Sequence, residues 1–259
     1  MNEHDIRKTL SDLPLQGLRF YEQTGSTNDV ALAWAADGAP DLSLVCANEQ
    51  TRGRGRGSRR WLTPPDVALA FSLILRPKPS EVFSVPLFSA LGALAVCEAV
   101  EALDLSPEIK WPNDVLLNGR KFCGILADAV WLDEKVDSVV LGVGVNVAPA
   151  SVPPAEELNF PATCLEGEAG RPLDRLHFLH EILLALLYWR GQFANDLYMR
   201  AWERHLAFRG QQVEVRGEVG AGWVGQVEGL ERDGTLRLRS PDGNEFKIQY
   251  GEVHLRPVV

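Results

Sequence analysis

The dipeptide Asn118-Gly119 constrains this chain more than any other feature. A two-residue hairpin loop needs positive φ at its central positions, which Asn and Gly tolerate and most residues do not. The pair sits inside EIKWPNDVLLNGRKFCGILADAVW, residues 108–131, which reads as strand, turn, strand, turn, strand. Pro112 holds Trp111 extended, as suits a strand end or a tight turn. A chain with this segment at its centre must build a sheet.

The flanking pattern supplies more strands and the helices to cover them. LSLVCAN (42–48) is a short apolar run, DVALAFSLIL (66–75) alternates and stops at Arg76-Pro77, and SVVLGVGVNV (138–147) is a further strand. Ser26-Thr27-Asn28 offers helix caps to VALAWAADG, where Val30 and Trp34 lie one turn apart and Asp37-Gly38 is a stop. Residues 86–103 predict a long helix with Pro86 in its first turn, and residues 173–193 and DLYMRAWERHL predict two more. Residues 148–172 lack periodicity and read as a long loop, of the kind that forms lids or orders on a ligand. Beyond Arg209-Gly210 the pattern shifts to short β runs parted by turns such as Asp233-Gly234 and Asp242-Gly243. That is a small all-β unit, and its regular strand spacing predicts a barrel.

Composition bounds the function. Hydrophobic content of 46% allows the 259 residues a full core. With 26 Lys+Arg against 35 Asp+Glu, the net charge of −9 argues against broad binding to nucleic acid or anionic membranes. The polar start MNEHDIRKTLSDL is no ordinary signal peptide, and no apolar run is long enough to span a bilayer. Cys46, Cys97, Cys123 and Cys164 form no CxxC pair and read as buried, reduced thiols of a cytoplasmic protein. His177 and His180 lie i,i+3 on a predicted helix but have no third ligand, so no metal held by protein ligands is expected.

Three constellations carry chemistry. The first is QTRGRGRGSRRW, residues 50–61, with five arginines between Arg52 and Arg60 and no acidic residue. Its glycines let the backbone approach a ligand, and its guanidinium forks suit carboxylate or phosphate. A solvated surface loop and a nucleic-acid contact are the rival readings, the latter opposed by the acidic total. The second is KWPND followed by NGRKFCGI, where Lys121 stands on an otherwise apolar strand. It faces a cavity or protects a sheet edge. The third is GVGVNV, Gly142 to Val147, whose glycines mark a strand lining a ligand or a bulge.

In this order, with Ser26-Thr27-Asn28 ahead of them, these motifs resemble those of the biotin protein ligases (biotin–carboxyl-carrier-protein ligases) over nearly the whole chain. The resemblance implies an α+β fold. A mixed β-sheet catalytic domain flanked by helices, similar to class II aminoacyl-tRNA synthetases, would span 1–208, and an SH3-like β-barrel 209–259. It implies ATP-dependent activation of biotin to biotinyl-5′-adenylate, with Mg²⁺, and transfer to a lysine of a biotin carboxyl carrier protein. By the same resemblance Ser26, Thr27, Asn28 and Gln50 help form the biotin pocket, because a buried ureido ring needs fixed polar partners. Arg54, Gly55 and Arg56 wrap the activated carboxylate and phosphate. Lys121 contacts the reacting group and is, with Arg56, the catalytic candidate. Lys110, Asn113, Asp114 and Asn146 fall on the nucleotide side. Arg52, Arg59 and Arg60 read as solvated or loop-supporting.

The chain departs from the family pattern at Ser58, where glycine is usual, which leaves the loop's path open. Many members also carry an N-terminal helix-turn-helix that represses transcription. Only 25 residues precede Ser26, so a form without DNA binding is expected. The oligomeric state is left open, a homodimer included. Two rivals remain: a lipoate–protein ligase, against which the GRGR loop, KWPND and the β module weigh, and a nucleic-acid-binding module using the arginine loop.

Overall fold

The computed structural model describes residues 1–57, 59–79, 81, 87–217, 223–249 and 253–257. Ser58, where the family pattern breaks, and Pro86, expected in the first turn of a helix, lie outside the described residues.

The predicted core segment forms as read. Strands β4 (Pro107–Lys110), β5 (Asp114–Leu117) and β6 (Arg120–Leu132) run antiparallel in succession. The Trp111-Pro112 peptide in the first turn is cis, and the second turn has Asn118 at φ 49° and Gly119 at φ 70°. Both values are positive, which is why Asn-Gly stands there. Four further strands, β1 (Gly17–Thr24), β2 (Ser43–Gln50), β3 (Ala68–Leu75) and β7 (Lys135–Asn146), complete a seven-stranded sheet. Its order is β1-β2-β3-β7-β6-β5-β4, and it is mixed because β1 and β2 pair in parallel.

Helix α2 (Thr27–Ala36) covers one face, burying Ala31 and Ala35 against Val45, Ile74 and Val140. Helices α3 (Phe88–Glu101) and α5 (Arg175–Gly191) cover the other, over Leu44, Cys46, Leu73, Leu75 and Leu141. The strand and the helix form as read, and this double cover sets which of their residues are buried. All eight residues of β3 are buried, so the apparent alternation of DVALAFSLIL does not mark a half-exposed strand. Val30 and Trp34 are only partly buried, because alanines let α2 approach the sheet more closely. Asp174 and Asn195 cap α5 and α6 (Asp196–His205) with their side chains. Neither α1 (Glu3–Thr9) nor β1 is evident from the sequence, and the burial of β1 shows no clean period because it lies at the sheet edge. The 148–172 segment is not a structureless loop: it holds two 3₁₀ turns and helix α4 (Leu165–Ala169).

Beyond α6, strands β8 (Gln212–Gly217), β9 (Trp223–Leu230), β10 (Leu236–Arg239), β11 (Glu245–Ile248) and β12 (Val253–Pro257) form an antiparallel sheet of order β11-β10-β9-β8-β12. It is fastened to the β4–β5 turn by the Trp111 indole N–H, which donates to Gly234 O at 2.9 Å, and to α6 by Leu230 N donating to Glu203 at 3.1 Å. The four cysteines are free and buried, and burial pushes the thiols of Cys46, Cys97 and Cys123 up. Among the described residues no helix is long and apolar enough to cross a membrane.

Candidate functional site

Strand register creates a hollow on the α2 face. Ser72 of β3 lies opposite Gly142 of β7, which lies opposite Leu126 of β6. Two residues along, Ala70 faces Gly144, which faces Gly124. Small residues in adjacent rows leave space that a neighbouring layer must fill. A Cβ on Gly142 would sit 2.0 Å from Asn28 Oδ1, and one on Gly144 would sit 2.3 Å from Trp61 Nε1. The glycines of GVGVNV therefore admit close approach, and what approaches is this chain's own α2 and arginine loop. Gly142→Ala should displace Asn28 and lower stability by about 1–3 kcal/mol. Urea unfolding would check this, and an unchanged midpoint would show that the hollow is slack.

The start of α2 supplies one wall. Ser26, Thr27 and Asn28 are all buried. Ser26 stands at the N-cap but makes no side-chain capping bond. Instead the Thr27 N–H donates to Gln50 Oε1 at 2.8 Å, so β2 caps the helix. Gln50 Nε2 donates to Thr63 Oγ1 at 2.8 Å, and Ser72 Oγ lies 2.6 Å from Asn28 Oδ1. Asn28 Nδ2 donates to Asp128 at 3.1 Å, which leaves the orientation of that buried amide fully determined.

The arginine loop forms the opposite wall. Isolated antiparallel bridges pair Gln50 with Thr63 and Arg54 with Arg60, so residues 60–63 run back alongside 50–54. Arg54 reaches Asp29 at 3.1 Å and Asp128 at 3.2 Å, tying the loop to α2 and β6. Arg56 Nη1 donates to Asn113 Oδ1 at 3.3 Å, and Arg59 Nε donates to Arg56 O at 3.1 Å. The loop ends in Trp61, whose ring lies against Gly144 and Gly124 with Lys121 Nζ 5.3 Å from its centroid.

Lys121, Lys110 and Asp114 meet at the floor between two cavities. Asp114 receives Lys121 Nζ at 2.5 Å and Lys110 Nζ at 3.3 Å. Burial opposes the charge on Asp114, but the two ammonium groups outweigh it and hold the carboxyl at about 2. Burial pushes the Lys110 ammonium the other way, below its ordinary value, and neighbouring Lys121 adds to that.

The first cavity is small, about 100 Å³, with Trp61 and Arg54 among its lining residues. It gathers Ser26, Thr27, Asn28, Gln50, Arg54, Gly55 and Arg56 with Asn113, Asp114 and Lys121. The second, about 510 Å³, lies within the range of small-molecule sites and is lined by Lys110, Asn146 and the 153–162 segment. Trp61, Asp114 and Lys121 border both, as do Arg59 and Arg60, which the sequence leaves as solvated or loop-supporting; they support the loop and line the cavities as well. Asn146 is buried, and its amide donates to Thr163 O at 3.1 Å. Among the described residues no cluster of three His, Cys, Asp or Glu side chains is placed to hold a metal ion, and His180 instead bonds Asp12 and Glu181.

Ser72, Thr63, Asp128 and Trp61 belong to the site and escape the sequence reading. A lone hydroxyl in ALAFSLIL and a lone carboxylate in ILADAV are their signals, but each gains meaning only from a partner many residues away.

The biotin/lipoate A/B protein ligase family matches residues 20–146. The biotin–[acetyl-CoA-carboxylase] ligase of Paracoccus denitrificans is 36% identical over 233 residues, covering 86% of this chain and 94% of that protein. The bifunctional ligase/repressor BirA of Bacillus subtilis is 32% identical, covering 98% of this chain and 79% of its own length. Among solved structures, the biotin protein ligase of Aquifex aeolicus in complex with biotin and ATP superposes with a TM-score of 0.81 at 27% identity. It covers 94% of this chain and all of that one. The mixed sheet, the hollow beneath α2 and these likenesses agree, and the chain belongs to the biotin protein ligases within the biotin/lipoate A/B protein ligase family.

Proposed function

We propose that this protein activates biotin with ATP and transfers it to a lysine of a biotin carboxyl carrier protein. The observation that carries this reading is the pair of adjoining cavities with Lys121 and Asp114 at their shared wall. One is narrow, with fixed polar side chains set among apolar ones, as a ureido ring with a carboxylate-bearing chain requires, and the other is roomy enough for a nucleotide.

The chemistry follows from that arrangement. A carboxylate oxygen of biotin attacks the α-phosphorus of ATP, and the bond to pyrophosphate breaks. The carrier lysine then attacks the acyl carbon, and AMP leaves with the electron pair. Ser26, Thr27, Asn28 and Gln50 serve the biotin side, and Gly55 lets the loop backbone come close. Lys121 and Arg56 stabilise charge that builds on the α-phosphate. Arg54, held by Asp29 and Asp128, keeps the loop closed over the first cavity. Lys110, Asp114 and Asn146 serve the nucleotide side, Asn146 through the backbone of Thr163. Asn113, expected there too, lines the first cavity and accepts from Arg56, so it serves the phosphate by holding that arginine. Asp114 is already engaged by two lysines, so Mg²⁺ enters with the nucleotide as Mg·ATP and is not held by a cage of side chains.

The unit at 209–259 is read as an SH3-like barrel beside a catalytic domain at 1–208. Its five-stranded antiparallel sheet supports that reading. The free, buried cysteines suit a cytoplasmic enzyme.

Incubation with biotin, Mg·ATP and a biotin carboxyl carrier domain should yield one biotin adduct on the carrier by mass spectrometry. A parallel incubation with lipoate and its carrier domain should yield none. Lipoyl transfer without biotinyl transfer would overturn the reading in favour of the other branch of the family.

A further inference from the structure

We infer that Glu168 is a positioning residue for the nucleotide side of the site. The inference rests on the ligase reading above and goes beyond it to a side chain outside both cavities.

Where β7 ends, a short segment takes its place beside β6. Lys121 N donates to Pro161 O at 2.8 Å and Lys121 O accepts from Thr163 N at 2.9 Å, forming a parallel bridge with Ala162. The backbone of the central lysine is thus held by residues 161–163. The same segment carries Phe160, whose ring centroid lies 4.6 Å from Lys110 Nζ, and with Leu158 and Asn159 it walls the larger cavity.

Besides this bridge, the segment is tied to the end of β7 by Asn146 Nδ2 donating to Thr163 O at 3.1 Å and by Glu166 N donating to Val147 O at 2.9 Å, all neutral bonds. Helix α4, which follows, has only five residues, too few to be stable by itself. Glu168 supplies what is missing. Its side chain is 5% exposed and accepts three hydrogen bonds. Oε1 accepts from Thr163 Oγ1 at 2.5 Å and from Arg120 Nη2 at 2.7 Å, and Oε2 accepts from Asn118 Nδ2 at 2.7 Å. Thr163 lies on the segment, whereas Asn118 lies in the β5–β6 turn and Arg120 opens β6. One carboxylate therefore joins both sides of the bridge at Lys121, with charge-assisted bonds stronger than neutral ones. Freed from it, the cavity wall and Phe160 lose their charge-assisted tie to the start of β6 and keep only neutral bonds. The biotin side, anchored by Gln50, Asn28 and Asp128, does not share these bonds.

The test is steady-state pyrophosphate release by the full chain, turning over on excess biotin carboxyl carrier domain with ATP and biotin varied separately, in wild type, Glu168→Gln and Thr163→Val. Glu168→Gln replaces an acceptor oxygen by a donor facing other donors and should raise KM for ATP about tenfold. KM for biotin should stay within about twofold. Thr163→Val, which removes one donor and leaves the carboxylate, should move KM for ATP in the same direction by less. Equal rises in both KM values, or a fall in kcat that only follows a fall in thermal midpoint, would show a merely structural role and overturn the proposal. Should Glu168→Gln fail to fold, the Thr163→Val split decides by the same criteria. Wild-type protein that releases no biotin-dependent pyrophosphate would instead overturn the ligase reading and this inference with it.

Discussion

Lys121→Ala should lower the rate of biotinyl-adenylate formation by about 10²–10³-fold while the protein stays folded. Removing one preorganised donor aimed at developing charge typically has an effect of that order. Lys121 stands at the junction of the two cavities, half-buried, with Asp114 as counter-ion and Trp61 beside it. Its loss leaves Asp114 paired with Lys110, so no buried carboxylate is orphaned. Stability should therefore change little. The measurement is biotin-dependent pyrophosphate release, with a thermal melt as control. Release near the wild-type rate would exclude the lysine from the chemistry.

Asp114→Asn should have the larger effect on the fold. It leaves two ammonium groups facing each other in a largely buried pocket without their anion. Breaking a buried ion pair from one side costs about 3–5 kcal/mol, and urea unfolding at neutral pH should show a loss near the lower figure. The pH dependence has a definite sign. The carboxyl of Asp114 is depressed from 3.8 to about 2, which corresponds to about 2 kcal/mol of stability. That contribution is complete above 3.8 and is lost as pH falls through 2. The wild type should thus keep its advantage over the variant down to about pH 4 and lose it below. In the variant, Lys110 loses its counter-ion, and its proton should leave more readily still. Stability should then recover as pH rises through that lowered value. A variant as stable as wild type at pH 7 would mean that water, and not Asp114, compensates the lysines.

Much of the site is legible because its motifs are local. Asn118-Gly119 specifies its own turn, and KWPND and GRK flank it, so Lys110, Asp114 and Lys121 converge by hairpin geometry alone. Glycines at 142 and 144, alternating on one strand face, mark where another layer comes close. The helix at 27–36 is also legible, yet its cap is not: Ser26 looks like the capping residue, and Gln50, 23 residues from Thr27, takes the role. The loop reading of 148–172 fails for a related reason. Its strand-like piece at 161–163 has no periodicity of its own, because it forms only against the backbone of Lys121.

By itself, then, the sequence determined the elements whose information lies within a few residues: hairpin turns, helix spans, glycine gaps and the order of the motifs along the chain. Tertiary structure decided which polar groups meet. Asp128 finds Asn28 across 100 residues, and Glu168 finds Asn118 across 50. A buried polar side chain must be satisfied by a partner, and the sheet register, set by the whole core, chooses that partner.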